Sequence, residues 1–380
     1  MTASILGFGT ALPPTRLAQD EVREIMAAQP DIDRRARRII TAAFAASAIE
    51  TRHTVLAELG GEASGLHVQS EGRLLSPTTR ARNDEFRRAA PPLLAAAGRA
   101  ALASADVDPA EVTHVITVSC TGLFAPGPDA LLVRDLGLNP SVERDHLGFI
   151  GCAAAMPALR MAARIVAATP DAVVLIAAVE LCSLHIRSSD DPEQIVAASV
   201  FADGAAAAVV SGDPARGRSR RLELGAFATR LSDEGERDMM WIVGDAGFEM
   251  TLTAEVPRII GRQVRGIVDD VFGGPDEVDA WAVHPGGRSI LDRVESGLGL
   301  APDALAASRQ VLRDYGNMSS ATLLFILRAI LEDDTRPDGQ RIGAMAFGPG
   351  LTVESARMTV RDAAAPQHPA EARQPAFAAR

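Results

Sequence analysis

The 380-residue chain contains no lysine; all 38 of its basic side chains other than histidine are arginine. That absence excludes a Schiff-base mechanism and a phosphate loop ending in Gly-Lys-Ser/Thr. Cysteine is scarce. Cys120, Cys152 and Cys182 are the three in the chain, well separated and without a CxxC among them. This spacing speaks against a zinc or iron–sulfur centre, and no metal or other cofactor is expected. Positive charge is also short: the net charge of −11 disfavours nucleic acid as a partner. The opening MTASILGFGT lacks the basic start and long apolar core of a signal peptide. Apolar runs are interrupted by Arg, Asp or Gly before about 18 residues, so no membrane span is expected. A reduced, cytoplasmic enzyme is the expected class.

What is present is globular: 47% hydrophobic and 23% charged residues, with 32 Gly and 23 Pro. The length suits two or three average domains, or one large duplicated one. Ser4–Leu6 reads as a strand running into the turn-rich GFGTALPP. Residues 33–49 have helical spacing, 60–82 read as loop, and 86–104 as an Ala-rich helix. The segment 362–380, rich in Ala, Pro and Gln, is expected to be a disordered tail.

A unit recurs along the chain. VTHVITVS (112–119) reads as a buried strand, and 33 residues after its end comes Gly151-Cys152, opening the helical run AAAMPALRMAARIVAA. DAVVLIAAVE (171–180) and GAAAAVVS (204–211) read as further strands. In the second half DAWAVH (279–284) is followed, 33 residues after His284, by Asn317, opening the helix MSSATLLFILRAIL. RIGAMAFG (341–348) and LTVESARM (351–358) complete the set. The repeated order predicts an α/β protein of two similar layered halves, residues 1–220 and 221–361, related by a pseudo-twofold axis.

The repeat brings chemistry with it. Cys152 at a helix start is placed where free N–H groups and the helix dipole favour a thiolate, a strong nucleophile toward an acyl thioester. The plain alternative is a small buried core residue. His284 ends a strand before Pro285-Gly286-Gly287, where α/β folds place ligands; otherwise it satisfies a loop carbonyl. Asn317 on its own reads as an N-cap. Under the pseudo-twofold, Cys152 and Asn317 occupy equivalent helix starts and His284 arrives at the same centre. A Cys that carries an acyl group, with neutral His and Asn donors on a thioester carbonyl, suits decarboxylative Claisen condensation.

GFIGCAAAM, WAVHPGGRSIL, LRDYGNMSSATLLFIL and AFGPGLTVE, together with FADGAAAAVV and VELCS, are similar in order and spacing to the type III polyketide synthases, the chalcone-synthase-like branch of the thiolase superfamily. The resemblance covers roughly residues 5–360. It implies a homodimeric thiolase fold with layered αβαβα halves, an acyl-CoA starter, and malonyl-CoA extenders. It assigns Cys152 as nucleophile and His284 and Asn317 as the enolate and oxyanion pair. Phe201 matches the Phe between coenzyme A tunnel and cavity, and Met250 stands where the second such Phe is expected. Ala155 stands where Gly is frequent. With no lysine to meet the coenzyme A phosphates, Arg52 and Arg288 are the substitutes, beside Gly286.

By motif position the cavity is lined by Cys120, Thr121, Cys182, His185, Trp241, Met250 and Ser319. Trp241 matches a position that is Gly in plant chalcone synthases, so it should raise the cavity floor. A narrow apolar channel results, suited to an aliphatic starter, few extensions and a pyrone or resorcinol product. A malonyl-primed naphthalene product is the alternative, with His185 and Cys182 serving a more polar chain. Ala125, in CTGLFAPGP, matches the position that reaches into a partner's cavity. Competing readings are a ketoacyl-carrier-protein synthase of the initiating type and an inactive acyl-CoA-binding paralogue. The first usually carries an Asn soon after its His, which HPGGRSIL lacks. A thiolase would need a second catalytic Cys beyond Cys182, and none follows.

Overall fold

The computed structural model describes residues 2–61, 64–69, 72–213, 216 and 220–362. The expected tail lies, apart from Asp362, outside the described residues. The first half comprises β1 (Ser4–Ala11), β2 (Thr15–Ala18), α1 (Gln19–Ala27), α2 (Arg34–Ala46), β3 (Thr51–Thr54), α3 (Thr79–Ala105), β4 (His114–Ser119), α4 (Pro128–Leu136), β5 (Glu143–Gly148), α5 (Ala155–Ala168), β6 (Val173–Leu181), α6 (Pro192–Val200) and β7 (Asp203–Ser211). The second comprises β8 (Arg221–Leu231), β9 (Met239–Gly244), β10 (Gly247–Leu252), α7 (Glu255–Phe272), β11 (Ala280–Val283), α8 (Arg288–Leu298), α9 (Ala306–Tyr315), α10 (Ala321–Leu331), β12 (Arg341–Gly348) and β13 (Thr352–Arg361).

Nine strands form one mixed sheet in the order β11-β12-β13-β8-β1-β7-β6-β4-β5. Read outward from the β1–β8 seam, β7, β6 and β4 on one side answer β13, β12 and β11 on the other. β4–β6 and β11–β12 are parallel pairs, while β6–β7 and β12–β13 are antiparallel. The seam itself is short: Ser4 faces Glu223 and Ile5 faces Leu222. Strand β6, VVLIAAVEL, is buried along its whole length, as expected of a strand covered on both faces.

Three apolar cores give the layering. The central one joins α5 and α10 to inward residues of both half-sheets, including Ile176, Ala206, Ala282 and Ala344. An outer core packs α3 on β1, β6 and β7, and another packs α7 and α8 on β11 and β12. Gly7 and Gly9 explain how closely α3 lies on β1. A Cβ on either would sit within 2.5 Å of the α3 backbone, at Ala105 or at Ala97 and Ala101. The apolar stretch Gly151–Ala168 is long and apolar enough to cross a bilayer by length and composition, but 56% of it is buried as the central helix of the fold.

Two helix boundaries differ from expectation. Helix α3 begins at Thr79, well before residue 86, because Thr78 caps it through its hydroxyl, and it continues through Pro91 and Pro92. Asn317 does not open α10. It forms a parallel bridge with Phe201, and the helix starts at Ala321.

Candidate active site

Cys152 lies in a single 3₁₀ turn, Gly151–Ala153, that leads into α5. The backbone is tight here: Phe149 has φ 56° and Gly151 φ 77°. A Cβ on Gly151 would stand 2.3 Å from Cδ of Pro349. Cys152 is buried, and the side chains of Ser319 and Asn317 act to lower its pKa. Burial outweighs both and pushes its thiol up to about 11. Burial thus favours a protonated thiol at Cys152 and not the thiolate a helix start alone favours, because desolvation of the charge exceeds what local donors return.

Asn317 is held by its own backbone. Its N–H donates to Val200 O and its carbonyl accepts from Ala202 N–H, each at 2.9 Å. Its Oδ1 accepts from Ser319 N–H at 2.9 Å, and Nδ2 donates to Gly286 O at 3.4 Å. His284 follows β11, with its N–H bonded to Met345 O and its carbonyl accepting from Gly286 N–H. Gly286 thus ties the His284 and Asn317 segments together. Among the described residues both ring nitrogens of His284 are buried without a partner, and burial lowers its pKa to about 3. A neutral imidazole with unused nitrogens in a buried site can donate or accept a proton once a ligand arrives.

Two spaces meet at Cys152. The outer one, of about 570 Å³, is lined by Ala43 and Ser47 on one side and by Arg258, Gly286, Arg288 and Arg293 on the other. The inner one, of about 80 Å³, is lined by Cys120, Thr121, Cys182, His185, Trp241 and Ser319, as motif position suggested. Phe201 and Met250 border both, as does Met239.

The inner floor is built from aromatics. Trp241 Nε1 donates to Cys120 O at 2.7 Å, and its ring stands edge-on to His185 and Phe248. His185 stacks on Phe248 with centroids 4.3 Å apart. Phe248 N–H donates to His185 Nδ1 at 3.0 Å, so Nε2 carries the proton and donates to Thr121 O at 2.9 Å. Burial lowers the His185 pKa to about 3, so it is a neutral brace with both nitrogens engaged. Cys120 Sγ accepts from Gly151 N–H at 3.1 Å. Burial raises the Cys120 and Cys182 thiols well above their ordinary value, with no charge of opposite sign to offset it.

The two arginines proposed for coenzyme A fare differently. Arg288 is half-exposed at the mouth of the outer space, 3.4 Å from Asp292. Arg52 is buried, and all five of its N–H donors are used: on Gln19 Oε1 and on the carbonyls of Ala198, Ser199 and Phe201. It closes the C-terminal end of α6, where unpaired carbonyls favour a cation, and leaves no donor for a phosphate. Burial lowers its pKa to about 10.

Sequence reasoning passed over Glu180. Its carboxyl accepts from Cys120 N–H at 3.0 Å, Thr121 Oγ1 at 2.9 Å and the Ser320 hydroxyl. Burial pushes its pKa up to about 7. An acidic residue ending the apolar run DAVVLIAAVE was the available signal. Among the described residues no group of three His, Cys, Asp or Glu side chains could hold a metal ion.

The comparisons agree with this architecture. Residues 1–214 match the family model for the N-terminal domain of chalcone and stilbene synthases, and residues 227–361 match that for the C-terminal domain. The chain is 34% identical over 287 residues to the alpha-pyrone synthesis polyketide synthase-like Pks18 of Mycobacterium tuberculosis, covering 73% of this chain and 72% of that one. It is 31% identical over 363 residues to the probable polyketide synthase 1 of Dictyostelium discoideum, covering 92% of this chain but spanning only 11% of that protein. The crystal structure of PKS-I from the brown alga Ectocarpus siliculosus superposes with a TM-score of 0.88 at 29% identity, covering 94% of this chain and 98% of that one. The chain belongs to the chalcone and stilbene synthase family: it is an acyltransferase of the type III polyketide synthase class with a thiolase fold.

Proposed function

We propose that Cys152 takes an aliphatic acyl group from an acyl-CoA starter and that malonyl-CoA extends it by repeated decarboxylative condensation. The observation that carries this reading is the position of Cys152. It lines both spaces, with Ser319 and Asn317 close enough to lower its pKa, while the His284 carbonyl and Asn317 Nδ2 both meet Gly286 and the His284 ring nitrogens have no partner among the described residues. In loading, His284 accepts the thiol proton as the sulfur attacks the thioester carbonyl, and coenzyme A leaves with that proton. In extension, His284 and Asn317 donate to the malonyl thioester oxygen as CO₂ departs. The enolate carbon attacks the acyl carbonyl, and the Cys152 sulfur is expelled. Neutral donors suit this step, since charge develops on oxygen only in the transition state.

The coenzyme A phosphates are assigned to the arginine side of the outer space, at Arg288 with Arg258 and Arg293, and the pantetheine arm to Gly286. No cofactor is invoked. Lactonisation or ring closure after few extensions gives a pyrone or resorcinol, in keeping with the pyrone named for the mycobacterial relative. A malonyl-primed naphthalene route has less support, because His185, its polar contact, has both nitrogens engaged.

A C2 homodimer in the cytoplasm completes the reading. Ala125 is exposed in the loop between β4 and α4. Incubation with a panel of acyl-CoAs plus malonyl-CoA, with products identified by mass, tests the function. Aliphatic starters should give pyrone or resorcinol masses; products from aromatic starters alone would overturn the starter assignment. Sedimentation at micromolar concentration tests the dimer, which a stable, active monomer would refute.

A further inference from the structure

The aromatic floor of the inner space is held from behind. β9 and β10 form a two-stranded sheet of their own, joined through Asp245 and Ala246. A ribbon of two strands is marginally stable in isolation, so its position depends on what grips it. On the cavity side it carries Trp241, Met250 directly opposite, and Phe248. Its tip is gripped by Thr79, the first residue of α3. Thr79 N–H, one of the donors that a helix start leaves free, donates to Asp245 O at 2.8 Å. The Thr79 hydroxyl donates to Gly244 O and accepts from Gly247 N–H, the latter at 2.8 Å. Three hydrogen bonds from one residue thus clamp both sides of the turn.

Two neighbours of Thr79 on the same helix face, at i+3 and i+4, hold the rest of the floor. Asn83 grips the loop after β4 as a paired strand would. Its Nδ2 donates to Leu123 O and its Oδ1 accepts from Leu123 N–H, both at 2.7 Å. That loop supplies the Cys120 carbonyl to which Trp241 donates. Arg82 is buried and donates to Pro77 O at 2.9 Å, to Ile186 O at 3.0 Å and to Leu184 O. It therefore fixes both chain neighbours of His185, the ring to which Trp241 stands edge-on. A Cβ on Gly247 would lie 3.0 Å from Arg82 Cδ, so the same side chain also backs the ribbon. One turn of α3 thus fixes the donor, the acceptor and the adjoining ring of the Trp241–Cys120 contact. Thr79, Arg82 and Asn83 are not among the residues that line the inner space.

We propose that Thr79, Arg82 and Asn83 are positioning residues that set the depth of the inner space, and with it the number of extensions, by fixing Trp241 against Cys120. They act through the ribbon and the loops that they hold. Releasing either the ribbon or the Cys120 loop lets the indole move outward and lengthens the room for a growing chain. The effect on extension rests on the reading that the inner space holds the acyl chain; the effect on Trp241 does not.

Trp241 and Trp281 are the two tryptophans of the chain, and Trp281 is buried in the separate core around α7 and α8, so Trp281→Phe leaves Trp241 as the sole indole reporter. In that background full-length Thr79→Val, Asn83→Leu and Thr79→Ser are compared with the parent in two ways. Acrylamide quenching and emission of the ligand-free protein report on Trp241. Product masses from malonyl-CoA and an acyl-CoA that the parent accepts report on extension. Thr79→Val keeps the side-chain shape and removes both hydroxyl bonds, and Asn83→Leu removes both bonds to Leu123. Each should raise the quenching of Trp241 and move its emission to the red. Each should also raise the ratio of longer to shorter products by about tenfold, the scale of one or two neutral hydrogen bonds. Thr79→Ser keeps the hydroxyl and should match the parent in both readings. Unchanged quenching in both Thr79→Val and Asn83→Leu, whatever the products do, would overturn the positioning role, as would Thr79→Ser behaving like Thr79→Val. A Trp241 response with an unchanged product ratio would overturn the link to extension and the place given to the chain, while the clamp on Trp241 stands. Parent protein that forms no product from any acyl-CoA would bring down the proposed function alone, because quenching still reads the clamp.

Discussion

The starts of α5 and α10 occupy matching places in the two halves, and they have diverged in a way that explains the site. Both helices lie in the central apolar layer. Both are preceded by a glycine with positive φ, Gly151 at 77° and Gly316 at 73°. At the first start a 3₁₀ turn carries Cys152 directly toward the helix. At the second the chain stays extended long enough for Asn317 to bridge to Phe201 before α10 begins at Ala321. On the proposed reading the first start supplies a nucleophile, and the second a fixed donor tied to Phe201, which borders both spaces. Duplication thus gives two polar groups one meeting point, while different local backbones give them different tasks.

The sharpest way to break this division is at the nucleophile. Cys152→Ala should abolish acyl loading and product formation while leaving the fold intact, as the side-chain change is small. Cys120 and Cys182 line the inner space but not the outer one that Cys152 also borders, and should not substitute. Product formation by the variant, measured by mass, would end the mechanism.

The second start should fail in another step. Loss of one such donor typically costs about 10²–10³ in rate. Asn317→Ala should therefore slow CO₂ release from malonyl-CoA by that order, with a much smaller effect on acylation of Cys152. Equal damage to both steps would show that the roles are not divided between the two helix starts.

Glu180 links the end of β4 to the start of α10, since its carboxyl accepts from Cys120 and Thr121 on one side and from Ser320 on the other. Its pKa is raised from 4.5 to about 7 by burial. Between those values the native state keeps a proton that the unfolded chain has lost, so its contribution to stability is full below pH 4.5 and is lost as pH rises through 7. Asp203, raised from 3.8 to about 6, acts with the same sign at lower pH. His185 and His284, lowered from 6.5 to about 3, act oppositely, and their contribution is flat above 6.5. Glu180→Gln should remove the alkaline part of the slope. Relative to wild type it should gain on the order of 3 kcal/mol between pH 4.5 and 8. Urea titrations at several pH values measure this, and parallel curves would place the proton elsewhere.

Much of this was legible in the sequence. The repeated order of strand, helix, strand and strand predicts the duplicated sheet, and three motifs single out Cys152, His284 and Asn317, each at a glycine-marked turn that local sequence specifies. Burial was not legible. Arg52 in IETRHTVL looks like any surface arginine, and only the approach of the α6 carbonyls, about 146 residues away in sequence, takes up its donors. The thiol of Cys152 was read from its helix start alone, whereas its protonation is decided by desolvation from all sides. Glu180 was hidden for the same reason: its partners come from β4 and from the start of α10, which meet only in three dimensions.

The smallest effect sharpens the comparison at the two glycines. Gly316 has φ 73° and ψ −168°, a conformation open essentially to glycine alone. An added Cβ would also lie 3.0 Å from Cβ of Ala202 and 3.3 Å from Val200 O, within the bridge that holds Asn317. Gly316→Ala should cost about 1–3 kcal/mol, read as a lower Tm or urea midpoint. Gly151→Ala meets a different obstacle, Cδ of Pro349 at 2.3 Å, and displaces the turn that carries Cys152. Overpacking of that kind costs about 1–3 kcal/mol as well. Stability alone will therefore not distinguish the two variants, but the reaction steps should. In folded protein below its Tm, Gly316→Ala should slow malonyl decarboxylation more than acylation, and Gly151→Ala should do the reverse. If both variants lose the two steps in the same proportion, the helix starts act as one rigid unit and the division of labour drawn from their backbones is wrong.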